Sequence, residues 1–394
     1  MTRRSVLVAG VGMTPFVTPK ASPEYDSLGQ SAIHAALHDA GMDASKPQRA
    51  FAGYVYGDST AGQRVLYGAG VAGIPIVNVN NNCATGSTAL WLAHESIASG
   101  ACECVLAVGF EKMPPGALGS AFGDRVHPLE RFMTRMTSLQ EFVPQAPVAA
   151  QFFGGAGREH QQRFGTRAET FAAISVRSRR HAAKNPRAVF RDPVTTEQVL
   201  SSPEVYGPLT RLQCCPPTCG AAAAVLVSED FAQRQIIGRA IHLRSIALVT
   251  DTETTFTGGM IDLVGAQMTT RATSEAARLA GVDPRDVDIV ELHDCFTSNE
   301  LLSYEALGLA AAGEGEKLLM DGDTTYGGRY VINPSGGLLA KGHPLGATGL
   351  AQCYELVVQL RGEAQERQVE GARLALQHNI GLGGACVVAM YERR

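Results

Sequence analysis

The sequence predicts an α/β protein made of two similar halves. Three observations predict it. Short apolar runs alternate with amphipathic stretches along most of the chain. One pattern, Cys83-Ala84-Thr85-Gly86-Ser87-Thr88-Ala89-Leu90, returns as His343-Pro344-Leu345-Gly346-Ala347-Thr348-Gly349-Leu350. Between about 114 and 208 the alternation loosens into prolines, charges and turn signals, and a buried-looking strand then follows at 222–227.

In chain order, residues 5–10 read as a strand. Residues 27–40 read as a helix with Leu28, Ala32, Ile33, Ala36 and Leu37 on one face and Gly41 as its stop. Residues 51–56 and 74–79 read as strands, 85–99 as a helix closed by Gly100, and 104–108 as a buried strand. The insertion carries helical patches at 148–164 and 168–184. The second half resumes with strands at 241–249 and 287–291, helices at 268–280 and 345–360, and strands at 373–377 and 385–391. Such alternation predicts a mostly parallel sheet covered by helices. The expected domains are 1–235, with the insertion inside it, and 236–394.

With 45% hydrophobic and 18% charged residues, the 394-residue chain can bury sizeable cores. A net charge of −4 without a basic block argues against nucleic acid. Apolar runs fall short of the ~20 residues of a membrane span. The start is a poor signal peptide, broken by Gly10, Gly12 and Pro15, and the end, Tyr391-Glu392-Arg393-Arg394, is not Ser-Lys-Leu. A cytoplasmic protein is expected. Nine scattered cysteines suit a reducing compartment. Cys214, Cys215 and Cys219 resemble part of a metal cluster but lack a second pair at zinc-finger spacing, so no metal is expected. Cys102 and Cys104 read as packing residues.

Cys83 carries the most information. It stands between an apolar strand and a helix start, near the positive end of the macrodipole, where unpaired N–H groups favour a thiolate. A thiolate is a nucleophile, which points to covalent catalysis. His293-Asp294-Cys295-Phe296 follows the 287–291 strand at its carboxyl end, where open α/β sheets build sites. Taken alone it reads more readily as a loop histidine bonded to backbone beside a buried cysteine, and Glu291 with Asp294 is weak evidence for an acid/base pair. Gly342-His343-Pro344 sets a second histidine at a helix entry, where the helix terminus would keep it neutral. Gly381-Leu382-Gly383-Gly384 joins the last two strands and offers N–H groups for an oxyanion hole. Phe152-Phe153-Gly154-Gly155 reads as packing within the insertion rather than as an acyl site.

Together these segments resemble the thiolase superfamily, and in detail the thiolase domain of the sterol carrier protein family. The resemblance spans essentially the whole chain. It is carried by 54–60, 80–90, Gly109-Phe110-Glu111-Lys112-Met113, 293–296, 333–349 and Leu376-Gln377-His378-Asn379. It implies the thiolase fold: two βαβαβαββ halves in α-β-α-β-α layers, plus an inserted loop domain. By matched position Cys83 is the acyl-accepting nucleophile and His343 the histidine that activates it. His293 stands where most thiolases have the asparagine of Asn-Glu-Ala-Phe. Cys295 is the acid/base cysteine of this subfamily, and Asn379 occupies the site where other thiolases place that cysteine. The N–H groups of Cys83 and of Gly383 or Gly384 are the expected acyl-side oxyanion donors.

The resemblance implies thiolysis of 3-ketoacyl-CoA to acetyl-CoA or propionyl-CoA and a shortened acyl-CoA, in fatty acid or sterol side-chain degradation. Coenzyme A enters as substrate, no cofactor is implied, and a homodimer or homotetramer is expected. Two departures stand out. Cys219-Gly220-Ala221-Ala222 replaces the usual Asp-Gly-Ala-Ala, and the chain ends soon after its last strand, so a lipid-transfer domain is not expected. Two other readings stay open: a thiolase-like lyase acting on hydroxyacyl-CoA, and a non-catalytic acyl-CoA-binding or lipid-transfer protein.

Overall fold

The computed structural model describes residues 3–114 and 122–394. Residues 1–2, ahead of the first expected strand, and 115–121 of the expected insertion lie outside the described residues.

The first half runs β1 (Val6–Met13), α1 (Tyr25–Asp39), β2 (Ala50–Gly53), α2 (Ala61–Gly68), β3 (Ile76–Val79), α3 (Thr85–Ala98) and β4 (Cys104–Glu111). The insertion follows, with α4 (Glu130–Leu139), α5 (Val148–Phe164), α6 (Ala168–Ala182), α7 (Thr196–Leu200) and a small hairpin of β5 (Glu204–Tyr206) and β6 (Leu209–Thr210). Strand β7 (Gly220–Ser228) returns to the sheet. Helix α8 (Glu229–Arg234) leads into β8 (Ile241–Val249), α9 (Met260–Leu263), α10 (Ala266–Ala280), β9 (Ile289–Glu291), α11 (Thr297–Ala306), α12 (Gly315–Met320), β10 (Val331–Ile332), α13 (Thr348–Arg361), β11 (Leu374–Gly381) and β12 (Ala385–Glu392).

Ten strands join in the order β10-β9-β11-β12-β8-β1-β7-β4-β2-β3. Read outward from the centre, both halves repeat one order: first strand, last, fourth, second, third. The halves meet where β1 pairs antiparallel with β8 at Leu7–His242 and Val8–Ile241. The sheet is mixed rather than mostly parallel. β2 runs parallel to β3 and β4, and β9 to β10 and β11, but β7 is antiparallel to β1 and β4, and β12 to β8 and β11. Strands covered on both faces read as continuous apolar runs whichever way they point, so the pattern did not report direction.

Helices α3 and α13, the two copies of the repeated pattern, form the central layer. Leu90, Ala93 and Ile97 share one buried cluster with Leu350, Leu356 and Val357. Each leucine, isoleucine or valine among them stabilises by about 1.5–3 kcal/mol on burial. Their entry segments touch closely enough to require glycine. A Cβ on Gly349 would lie 2.0 Å from Ser87 Oγ, and one on Gly86 would lie 2.7 Å from the Gly346 carbonyl oxygen. Helix α1 buries the five residues expected of it and packs on β1, where a Cβ on Gly10 would meet Ala36 O at 2.3 Å.

The insertion is fastened to the second half by buried polar contacts. Arg177 of α6 pairs with Glu300 and donates to Tyr304 on α11, and His160 of α5 meets Glu305 at 3.0 Å. Asn185 Nδ2 donates to Ser335 O at 2.9 Å, and Phe190 N to Ala340 O at 3.0 Å. These contacts grip the 333–343 segment that carries His343.

Candidate active site

Cys83 lies two residues before α3, after Asn82 at φ +51. Asparagine tolerates this left-handed conformation better than most residues. Thr85 Oγ1 accepts from Asn81 N at 2.9 Å and donates to Asn82 O, and Asn82 Nδ2 donates to Leu382 O at 2.9 Å. The turn is thereby held from both halves. His343 follows a π-type turn, Gly337–Lys341, and Gly342 at φ +119, where a Cβ would meet Thr218 Oγ1 at 2.9 Å. Asp294 anchors that turn by accepting from Leu338 N at 2.7 Å and Leu339 N at 3.3 Å. Glu291 accepts from Ser335 Oγ at 2.8 Å and pairs with buried Lys341 at 3.2 Å. Glu291 and Asp294 thus hold the loop instead of forming an acid/base pair.

The sulfur of Cys83 and one ring nitrogen each of His293 and His343 lie within 4.8 Å of one another. The two imidazoles stand edge to face, with centroids 5.1 Å apart. Thr348 Oγ1 donates to Pro344 O at 2.9 Å, so it accepts from His343 Nδ1 at 2.7 Å. His343 Nε2 keeps its lone pair, buried and without a hydrogen-bond partner. His293 Nδ1 faces Asn379 Nδ2 at 2.9 Å, and Asn299 Nδ2 donates to His293 O at 2.5 Å. One sulfur and two imidazoles are also the donor types zinc prefers, so this trio, rather than Cys214, Cys215 and Cys219, is the set among the described residues that suits a metal.

The electrostatics revise one expectation. Burial pushes the Cys83 thiol up to about 12, with Glu111 adding to the rise and the N–H groups of Cys83 and Leu382 opposing it. Desolvation outweighs the two N–H groups, which favours the thiol over the expected thiolate. His343 is neutral, as expected, but chiefly because burial, then Lys341, pulls it down to about 3. Burial, then His343 and His378, holds His293 well below its ordinary value.

Cys295 is buried beside the insertion, where Phe153 stacks on Phe296 at 5.0 Å. Burial first, then Cys215 and Cys83, drives its thiol well above the usual range. Cys215 therefore belongs to this neighbourhood, and its N–H donates to Cys295 O at 2.9 Å. The pairing joins segments far apart in the chain, which is why no local signal marked it. Cys219 instead accepts from Met113 N at 3.2 Å, which supplies the local bonding left open by the departure at 219–222. The turn 381–384 contributes differently from expectation. The Gly384 N–H is engaged with Gly381 O at 3.2 Å, and the N–H beside the Cys83 sulfur is that of Leu382. Gly383 and Gly384, at φ +102 and +110, shape the turn, and a Cβ on Gly383 would meet Leu129 at 2.9 Å.

Residues 6–230 match the thiolase N-terminal domain, and 250–391 match the thiolase C-terminal domain-like family. The chain belongs to the thiolase family. Its relatives include sterol carrier protein 2 of Homo sapiens, 50% identical over 99% of this chain and 72% of that protein. Two solved structures share the fold. An Ltp2-ChsH2(DUF35) aldolase superposes with a TM-score of 0.83 at 23% identity, over 99% of this chain and 98% of that one. Human mitochondrial 3-ketoacyl-CoA thiolase superposes with a TM-score of 0.72 at 20% identity, over the same shares. No helix among the described residues of this chain is long and apolar enough to cross a membrane.

Proposed function

We propose that this thiolase is an acyltransferase that cleaves 3-ketoacyl-CoA with coenzyme A through an acyl-enzyme on Cys83. The observation that carries the reading is the convergence of the Cys83 sulfur with the two imidazole nitrogens within 4.8 Å. His343 Nε2, bare and buried, takes the proton of the Cys83 thiol. The sulfur attacks the 3-keto carbon, and the N–H groups of Cys83 and Leu382 receive the developing oxyanion. Carbon–carbon cleavage leaves the acyl group on Cys83 and releases a thioester enolate. His293, with the now protonated His343, stabilises the enolate oxygen, and the Cys295 thiol delivers a proton to its carbon. The Cys295 thiolate then takes the proton of incoming coenzyme A, whose sulfur displaces the acyl group, and the released Cys83 sulfur recovers its proton from His343. A raised thiol suits the first of these Cys295 steps. Losing one oxyanion donor from such a site commonly costs about 3–4 kcal/mol. A homodimer is part of this reading, supported by β3, an edge strand with exposed Val77.

The aldolase-like fold match favours a second reading, carbon–carbon cleavage of a hydroxyacyl-CoA without coenzyme A. One experiment separates them. Incubate the protein with acetoacetyl-CoA, or a longer 3-ketoacyl-CoA, and follow its mass. Thiolysis requires acylation at Cys83, discharge by coenzyme A, and loss of both in Cys83→Ala. A protein that releases product without coenzyme A and never carries an acyl group fits the lyase. One that binds acyl-CoA and does neither fits a carrier.

A further inference from the structure

We propose that a buried relay, Tyr391–Gln377–Ser87–Asn379, fixes the proton of His293 on Nε2 and so makes His293 the donor and His343 the acceptor of the pair. The proposal deepens the thiolase reading and rests on it for the catalytic consequence. All four relay residues are fully buried. They come from both halves: Ser87 from α3, Gln377 and Asn379 from β11, and Tyr391 from β12.

The direction of every bond follows from one fixed point. The carbonyl oxygen of Gly349 can only accept, and Gln377 Nε2 donates to it at 2.8 Å. The amide of Gln377 is therefore oriented, with Oε1 turned toward the hydroxyl of Tyr391, which donates at 2.6 Å. The second N–H of Gln377 donates to Ser87 Oγ at 2.9 Å. Ser87 has a single proton left to give, and it goes to Asn379 Oδ1 at 2.8 Å. With its oxygen occupied, Asn379 presents Nδ2 to His293 Nδ1 at 2.9 Å. A ring nitrogen that receives an N–H must be bare, so a neutral His293 carries its proton on Nε2. Reversing the Asn379 amide would aim two N–H groups at Ser87 Oγ and leave the serine proton without an acceptor. Gly349 leaves the room for this arrangement, since a Cβ there would also lie 2.8 Å from Asn379 Oδ1.

His343 receives the opposite setting, because its Nδ1 proton is held by Thr348. Two adjacent imidazoles of the same tautomer would offer either two donors or two acceptors. Opposite tautomers give one group that takes the thiol proton and one that holds an oxyanion.

The test is nitrogen NMR of the full chain labelled with [15N]histidine, with His293→Gln used to assign the signal. The expected result is a bare Nδ1 and a proton-bearing Nε2 on His293 in the wild type. Asn379→Asp, close in shape, offers only oxygen to the ring, so Nδ1 becomes proton-bearing. Ser87→Ala frees the Asn379 amide to turn, and kcat falls roughly 10- to 100-fold with KM within about threefold, toward the range for losing an oxyanion donor. Should Ser87→Ala fail to fold, the Asn379→Asp spectrum alone decides. A proton on Nδ1 in the wild type, or a ring signature unmoved by Asn379→Asp, overturns the relay. A wild type with a bare Nδ1 that never turns over a ketoacyl-CoA supports the proton assignment and overturns the thiolase reading.

Discussion

Glu111 at the end of β4 is 1% exposed, and its carboxylate joins three segments of the site. Oε2 accepts from Val55 N at 3.1 Å and Gly346 N at 2.9 Å, and Oε1 from Tyr56 N at 2.9 Å. Desolvation outweighs these donors and raises its pKa from the usual 4.5 to about 7. At about 1.4 kcal/mol for each pH unit, that rise corresponds to roughly 3 kcal/mol. The sign follows from proton binding. The folded protein holds this proton more tightly than the unfolded chain. The contribution is therefore fully present below pH 4.5 and is lost as pH rises through 7. Glu111→Gln removes the titration but keeps the shape. Near pH 5 the two proteins should have similar stability, because a protonated Glu111, like glutamine, turns a hydrogen-bearing atom toward one donor. At pH 8 the variant should be more stable by up to about 3 kcal/mol. Removing the charge should also speed alkylation of Cys83, whose thiol Glu111 helps to raise. Urea unfolding at the two pH values, with iodoacetamide labelling, measures both effects. A variant destabilised equally at pH 5 and pH 8 would mean that Glu111 stays ionised, and the argument from desolvation would be wrong.

Other outcomes follow from the same geometry. In the free wild type, alkylation of Cys83 should rise about tenfold per pH unit from pH 7 to 9, since burial pushes its thiol up to about 12; a plateau below pH 8 would reveal a preformed thiolate. Lys341→Met should cost about 3–5 kcal/mol in urea unfolding, because it leaves Glu291 buried without its cation. Gly346→Ala should destabilise by roughly 1–3 kcal/mol and lower kcat more than tenfold in a thiolysis assay, because its Cβ would sit 2.6 Å from Phe110 O and displace the loop that follows His343. Val77→Lys should weaken a homodimer that uses the open edge of β3, as read by light scattering across protein concentration.

The sequence made legible those features that repeat or are local. The helix at 148–164 has its expected limits and α3 opens at Thr85 as expected, whereas α13 opens at Thr348, three residues after the expected 345. The repeat of 83–90 at 343–350 put Cys83 and His343 at equivalent helix entries, but that α3 and α13 share one buried cluster came only from the structure. Strand β10 escaped notice because two residues, Val331 and Ile332, carry no periodicity. Helix α11 was hidden because Thr297, Ser298, Asn299, Glu300 and Ser303 are among its buried residues, so no apolar stripe marks its period. Asn379 was noticed as a replacement, yet its partners Ser87, Gln377 and Tyr391 were not. Ser87 bonds Asn379 across 292 residues of sequence. Desolvation was the other blind spot. A helix start suggested an ionised sulfur, and only the packing around Cys83 shows why the proton stays.

The matching strand orders of the two halves carry a last consequence. Each copy of the unit brings a helix entry to the same seam, yet one offers sulfur and the other imidazole. They also share walls, since Gly349 leaves space for Ser87 and Gly86 for Gly346. A swap of even one methyl group across that seam must be answered on the opposite side. The two copies have become complementary tools that can no longer stand in for each other, and a fragment holding either one alone has half a workbench.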